Sequence, residues 1–434
     1  MANFTRRKFV KAVGTCAALG TLATMGACTA GSHKRAGSGK KGRVIVIGGG
    51  YGGSIAAKYI KMTDPEIDVM LIEKNRNYVS CPLSNEVLGG ERDIASLTFN
   101  YSKLSRNHDI QTLTDEVVAI DPGKRSVKVK SGKDYTYDKL VVSPGVDFHY
   151  DKISGYSAEV AERIPHAWKA GPQTVTLRKQ LEAMKDGGVC YIVAPPNPFR
   201  CPPGPYERAA QIAHYFKQHK PKSKVVILDT KDRFSKQGLF MQGYEKFYGD
   251  TVEWVSGAAG GIIEAVEPKT NTLVGEVDEY KGDVLNIIPP QKAGKIAHIA
   301  GLADDSGWCP VNQKTFESKI HKDVYVIGDA CIAGKMPKSG YAANSQGKVC
   351  AAAIVAALNG NEPGEPSYVN TCYSIITPEW GISVAAVYQL VDGKIVGVKG
   401  AGGLSPMDAS AKTRAIEAEF ARSWFKNIAS DMFS

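Results

Sequence analysis

Residues 43–62 constrain this chain more tightly than any other segment. Arg43-Val44-Ile45-Val46-Ile47 is a short apolar run of the kind that forms a strand buried on both faces. It runs directly into Gly48-Gly49-Gly50-Tyr51-Gly52-Gly53, and Ser54 to Met62 reads as a helix. In such a strand–turn–helix the glycines have separate jobs. Gly48 permits the tight turn, Gly50 lets the backbone approach a pyrophosphate, and Gly53 lets helix and strand pack closely. The phosphate then meets the positive end of the helix. A second strand, Asp68-Val69-Met70-Leu71-Ile72, ends at Glu73, whose carboxylate is placed to accept hydrogen bonds from a ribose. Together these parts predict a parallel α/β sheet with a dinucleotide at its carboxyl edge.

Two later segments narrow the dinucleotide to FAD. Tyr137-Asp138-Lys139-Leu140-Val141-Val142-Ser143-Pro144-Gly145 resembles the strand and turn that close the first lobe of two-dinucleotide flavoproteins. Val324-Tyr325-Val326-Ile327-Gly328-Asp329-Ala330 resembles their late motif, in which Asp329 would bind the ribityl chain. A helix from about Tyr341 to Leu358 would aim its N-terminal N–H groups at the flavin and stabilise negative charge there.

A second nucleotide fold begins mid-chain but lacks its phosphate cradle. Gly188 to Ala194 is the expected strand, yet Pro195-Pro196-Asn197-Pro198-Phe199-Arg200-Cys201-Pro202-Pro203-Gly204-Pro205 follows it. Proline has no N–H for a phosphate and blocks the tight turn. A helix from about Pro205 to Gln218 and a strand from Lys224 to Leu228 ending at Asp229 continue the lobe. The expected electron donor is therefore small, not a nicotinamide. Cys201 stands in the proline-rich loop just before a helix opened by Gly204-Pro205, where a thiol pKa is expected to fall and the thiolate to be favoured. Glu207, on the first turn, is placed either as a nearby acid or base or as a carboxylate favoured by the helix dipole.

The formal charge of +10 hints at nucleic acid or an anionic membrane. Location removes the hint: residues 1–43 hold nine Lys/Arg and no acid, which leaves +1 for residues 44–434. Thr5-Arg6-Arg7-Lys8-Phe9-Val10-Lys11 is a twin-arginine pattern, and the stretch Ala12 to Ala30 is apolar but too weakly so for a permanent membrane helix. This predicts a cleaved signal for export of a folded protein to the periplasm, followed by a solvated linker. No later window is long and apolar enough to span a bilayer, so neither stable membrane insertion nor nucleic-acid binding is expected. Without Cys16 and Cys28 of the leader, seven cysteines remain, an odd number, so at least one is unpaired or used otherwise. There is no Cys-x-x-Cys-His for a c-type haem and no Cys/His cluster for zinc, so no metal site is expected.

From about Arg43 onward the chain resembles the flavoprotein subunit of flavocytochrome c sulfide dehydrogenase, of the flavin disulfide reductase superfamily. The resemblance is carried by Cys81-Pro82-Leu83-Ser84-Asn85-Glu86-Val87-Leu88-Gly89-Gly90, Pro165-His166-Ala167-Trp168-Lys169-Ala170-Gly171, and Phe199-Arg200-Cys201-Pro202-Pro203-Gly204-Pro205-Tyr206-Glu207-Arg208. It continues in Asn286-Ile287-Ile288-Pro289-Pro290-Gln291, Gly307-Trp308-Cys309-Pro310-Val311, Met336-Pro337-Lys338-Ser339-Gly340-Tyr341 and Asn370-Thr371-Cys372-Tyr373-Ser374-Ile375. The resemblance implies a thioether from Cys81 to FAD, a redox-active disulfide between Cys201 and Cys372, an acidic residue at Glu207 beside it, and a terminal segment with Trp424 over the site. It implies oxidation of hydrogen sulfide to zero-valent sulfur or polysulfide, with electrons passed to a c-type cytochrome subunit in a heterodimer. Pro82 departs from the Tyr common after the flavin-linked cysteine. For Trp424 itself, plain packing is the simpler expectation. Cys190, Cys331 and Cys350 are expected to pack as small apolar side chains.

The expected architecture is α/β: two Rossmann-like dinucleotide-binding lobes, one for FAD and one a degenerate NAD-type lobe, with a C-terminal α+β interface domain. Residues 1–30 form the signal, 31–42 the linker, 43–155 and 292–362 the FAD domain, 156–291 the second lobe, and 363–434 the tail. The tail is expected to hold strands near Ile382 to Val387 and Lys394 to Val398, then a helix with Ile416, Phe420, Trp424, Phe425 and Ile428 along one stripe. Two rival readings remain: a sulfide:quinone oxidoreductase-like enzyme that reduces a membrane quinone, and a non-catalytic flavoprotein scaffold.

Overall fold

The computed structural model describes residues 41–434; the expected twin-arginine leader, with Cys16 and Cys28, lies outside the described residues. Strand Arg43–Ile47 is the centre of a five-stranded parallel sheet. Across the sheet the order is Val324–Val326, Lys139–Val142, Arg43–Ile47, Asp68–Glu73 and Gln111–Thr114. Val44, Ile45 and Val46 are fully buried, as a strand covered on both faces requires. The register aligns Ile47 with Ile72 on one side and Val142 on the other, so the carboxyl ends of three strands finish level and open one crevice.

The glycine turn sits at that crevice. Gly48 has φ +93°, and Gly53 leads into helix Gly53–Thr63. A Cβ at Gly53 would stand 1.8 Å from the Gly48 carbonyl oxygen, so only glycine permits this closure of turn and helix.

A second parallel sheet has the order Val252–Val255, Lys224–Asp229, Val189–Ala194 and Val284–Ile287. Ala194 lies level with Asp229. The helix after the proline-rich loop is Gly204–His219, within a residue of the expected range at each end. The tail is a three-stranded antiparallel sheet, Ser367–Thr377, Trp380–Val391 and Lys394–Leu404, followed by helix Ala411–Phe433. Two of these strands extend the expected ones. Ser367–Thr377 had no mark in the sequence, because Asn370-Thr371-Cys372-Tyr373-Ser374 lacks an apolar alternation. Pairing with Trp380–Val391, in the register Cys372 to Val384, makes it a strand. The expected stripe of the last helix divides: Phe425 and Ile428 are buried, whereas Ile416 and Phe420 are exposed.

Candidate active site

Cys81, Cys201, Glu207 and Cys372 line one cavity of about 90 Å³. Four separate pieces of chain bring them there. Cys81 precedes the short helix Asn85–Gly89, and its sulfur accepts from the Ala170 N–H at 3.4 Å and donates to the Trp168 carbonyl at 3.6 Å. Cys201 has a left-handed backbone, φ +57°, pinned by its N–H to the Lys338 carbonyl at 2.7 Å. Gly204 leaves room for this arrangement, since a Cβ there would stand 2.6 Å from the Trp168 ring and 3.2 Å from the Cys201 sulfur. Cys372 comes from the middle of the first tail strand. Glu207 comes from the first turn of helix Gly204–His219.

The two cysteines are thiols that share a hydrogen bond. The expected thiolate at Cys201 is not what the site favours. The hydrogen bond to Cys372, then burial, push Cys201 up, while the same bond, helped by the Lys236 ammonium, draws Cys372 down. Donation of the shared proton outweighs the helix end: a donor must keep its proton, and Cys372 accepts it. Burial also raises Glu207 to about 7, against opposing hydrogen bonds from the Ile375 N–H at 2.8 Å and Asn85 Nδ2 at 2.9 Å. A carboxyl poised near neutrality beside two sulfurs can both take and return a proton.

Asn85 is in turn oriented by Arg208, whose Nε donates to Asn85 Oδ1 at 3.1 Å. Arg208 is 2% exposed and also donates to the carbonyls of His166 and Ala167 and to Asn286 Oδ1. Neither Asn85 nor Arg208 was singled out by sequence reasoning, although both lie inside the family-like strings. Lys236 lies in none of them; its Nζ donates to Ser374 Oγ at 2.8 Å and to the Cys372 carbonyl at 3.4 Å. Trp424 is neither fully packed nor free. It lines the cavity between Tyr341 and Tyr373, and its Nε1 is buried without a partner. Cys190, Cys331 and Cys350 are buried, and burial raises each thiol.

The residues expected to hold FAD fit it. Asp329 has one buried oxygen, Oδ1, with no partner, and its Oδ2 lies 3.8 Å from Arg200 of the cysteine loop. A buried carboxylate oxygen without a donor matches a ribityl hydroxyl. Gly328 donates its N–H to Gln346 Oε1 at 2.8 Å, and Gly145 accepts from the Gly294 N–H at 2.9 Å, so both turns are tied to the lobe. The helix after them is Gly340–Leu358, one residue longer than expected, with Ser339 and Gly340 at the cavity wall. Glu73 lines a second cavity of about 570 Å³ with Arg76, Tyr101 and Thr114, while its own oxygens accept from Gly49 and Asn75. Gly48, Gly50 and Gly53 would thus serve the dinucleotide end of FAD, and Asp329, beside Arg200 of the cysteine loop, the end near the cysteines.

Residues 174–289 match the family described as the central part of the sulfide dehydrogenase [flavocytochrome c] flavoprotein chain, and residues 364–433 match the flavin-binding part of flavocytochrome c sulphide dehydrogenase. Residues 42–173 match pyridine nucleotide-disulphide oxidoreductase. The sulfide dehydrogenase [flavocytochrome c] flavoprotein chain of Chlorobaculum thiosulfatiphilum is 51% identical over 45 residues, 10% of this chain and 94% of that sequence. The mitochondrial sulfide:quinone oxidoreductase of Mus musculus is 24% identical over 333 residues, 71% of this chain and 68% of that one. The crystal structure of the sulfide:quinone oxidoreductase from Aquifex aeolicus shares the fold, with TM-score 0.68 and 16% identity over 90% of this chain and 92% of that one. The chain belongs to the flavoprotein-chain family of flavocytochrome c sulfide dehydrogenase.

Proposed function

We propose that this chain oxidises sulfide through a Cys201–Cys372 disulfide and delivers the electrons to a c-type cytochrome partner. The observation that carries this reading is the hydrogen-bonded cysteine pair in one cavity with Glu207. In the oxidised pair, hydrosulfide attacks one sulfur, a new S–S bond forms, and the other sulfur leaves as a thiolate. Glu207, near its midpoint at neutral pH, takes or returns the sulfur-bound proton. Tyr341, Tyr373 and Trp424 wall the cavity and limit water. A second hydrosulfide takes the outer persulfide sulfur away as zero-valent sulfur in a polysulfide and leaves its cysteine as a thiolate. The glycine turn and Asp329 would hold FAD, which when bound would supply the two-electron oxidation that returns the dithiol to the disulfide, and a thioether to Cys81 would fix it in place.

The lack of a haem attachment motif in this sequence supports a haem carried by a partner subunit, and the twin-arginine pattern supports a periplasmic pair. Quinone reduction is the second reading, favoured by the exposed Ile416 and Phe420 on the last helix. Two apolar side chains are a small anchor, and no described helix is long and apolar enough to cross a membrane. Anaerobic addition of sulfide should bleach the flavin. The bleached protein should then reduce cytochrome c faster than a soluble quinone. The reverse preference would replace the cytochrome reading, and no bleaching would leave a scaffold. Mass spectrometry of the denatured protein should find FAD mass on the Cys81 peptide.

A further inference from the structure

We propose that Lys236 is the fixed cation of the cysteine pair and directs hydrosulfide to Cys201 by holding the leaving negative charge on Cys372. This deepens the sulfide-oxidising reading and rests on it.

Lys236 is 5% exposed, and its ammonium reaches only neutral oxygens: the Ser374 hydroxyl and the Cys372 carbonyl. Among the described residues no carboxylate is within ion-pair distance of it. Its backbone is left-handed, φ +61°, at the N-cap of helix Gln237–Phe247. A buried ammonium without a carboxylate and a left-handed non-glycine residue are each unfavourable. Asparagine or glycine would cap that helix with neither penalty. The two penalties coincide at one residue, and that residue abuts the strand segment that carries Cys372. Arg200 and Arg208 act on Cys81 and Cys201, and Glu207 faces both sulfurs. Lys236 acts on Cys372, Cys201 and Glu207 together, and its ammonium is tied to the Cys372 side, through the Cys372 carbonyl and Ser374 Oγ.

The consequence is a direction for exchange. The lower-pKa sulfur is the better leaving group. Hydrosulfide therefore bonds to the Cys201 sulfur and keeps its proton on the terminal sulfur. The Cys201–Cys372 bond breaks with its electron pair on Cys372, and the new thiolate lies in the field of the Lys236 ammonium held at the Cys372 carbonyl. No other oxidant enters the step.

The test uses the full FAD-loaded protein as wild type, Lys236→Met, Lys236→Gln and Lys236→Arg. After reduction, iodoacetamide labelling of each cysteine is followed by peptide mass spectrometry between pH 5 and 9. Loss of the cation should raise the labelling midpoint of Cys372 by about one pH unit in the Met and Gln variants, with Arg restoring it. The Gln variant keeps the Ser374 hydrogen bond and carries the test if Met does not fold. An unchanged midpoint in Gln overturns the proposal, and this holds whether or not sulfide reacts. A second arm traps the first product of the oxidised wild type with sulfide. A persulfide on the Cys201 peptide supports the direction, and one on Cys372 overturns it. No sulfide product at all, with a shifted Cys372 midpoint, removes the sulfide reading and keeps the cation.

Discussion

The Ile375 N–H donates to Glu207 Oε1 at 2.8 Å and so ties the strand that carries Cys372 to the helix that starts just past Cys201. Two cysteines far apart in sequence are held together by a carboxyl group that also faces them. Position and proton chemistry therefore meet in one side chain, and substitutions at 207 should report on both.

Glu207 should give folding stability a pH dependence of definite sign. Burial lifts it from 4.5 to about 7 in the folded protein. Between those values the folded chain binds a proton that the unfolded chain has released. Stability therefore falls as pH rises from about 4.5 to 7 and is level above, a change on the order of 3 kcal/mol. Glu207→Gln removes that slope. Urea unfolding at pH 5 and pH 8 should show the variant gaining on the wild type at the higher pH by on the order of 2–3 kcal/mol. An equal difference at both pH values would contradict a carboxyl that titrates near neutrality.

Cys201→Ser and Cys372→Ser should each lower the rate of flavin bleaching by sulfide at least about 100-fold, because exchange needs both sulfurs. Flavin content should stay at the wild-type level, since Asp329 and the glycine turn are untouched. Cys350→Ala, deep in the FAD lobe, should leave bleaching within about twofold and lower the melting temperature. Stopped-flow absorbance on all three variants separates the sulfur chemistry from packing.

Much of this was legible in the sequence because local rules governed it. The strand–glycine–helix unit at 43–63 and the proline loop before Cys201 follow from turn and cap chemistry that a short window contains. The lobes are visible for the same reason. The strand at 367–377 was not, because pairing with Trp380–Val391 makes it a strand and its own pattern does not. The proton's place was misjudged for a related reason. A helix N-terminus is visible in the sequence, whereas the Cys372 sulfur that competes for the proton arrives through tertiary structure. Asn85, Arg208 and Lys236 act through partners distant in sequence; Asn85 and Arg208 stand inside family-like strings that do not say what they touch, and Lys236 stands in none.

Arg208 should be among the most sensitive positions outside the cysteines. It is buried, and burial lowers its pKa to about 10. Its donors satisfy the carbonyls of His166 and Ala167 and the side-chain oxygens of Asn85 and Asn286. Arg208→Met strands these acceptors and should cost about 3–5 kcal/mol in chemical denaturation. It also frees Asn85, so the pH limb assigned to Glu207 should shift in any Arg208 variant that folds. A loss under 1 kcal/mol would mean that water replaces the guanidinium.

Asp229 predicts how the protein treats nicotinamide nucleotides. It ends the strand where a nicotinamide lobe places its ribose-binding acid, and it is fully buried. Its Oδ2 accepts from Tyr206 OH at 2.6 Å and Trp254 Nε1 at 3.1 Å, and its Oδ1 accepts from the Lys231 N–H at 3.1 Å and Nζ at 2.5 Å. Both oxygens are engaged within the chain, and the loop that would cradle a phosphate is mostly proline. Excess NADH or NADPH should therefore fail to bleach the flavin under conditions in which sulfide does so at once. Asp229→Ala should not create that activity. It strands the largely buried Lys231 ammonium, which rests on this carboxylate and the Pro195 carbonyl, and leaves the Tyr206 and Trp254 donors unpaired, and should instead cost about 3 kcal/mol of stability. Bleaching by NADH at a rate comparable with sulfide would mean that the second lobe binds its nucleotide away from Asp229, and the electron donor would have to be reassigned.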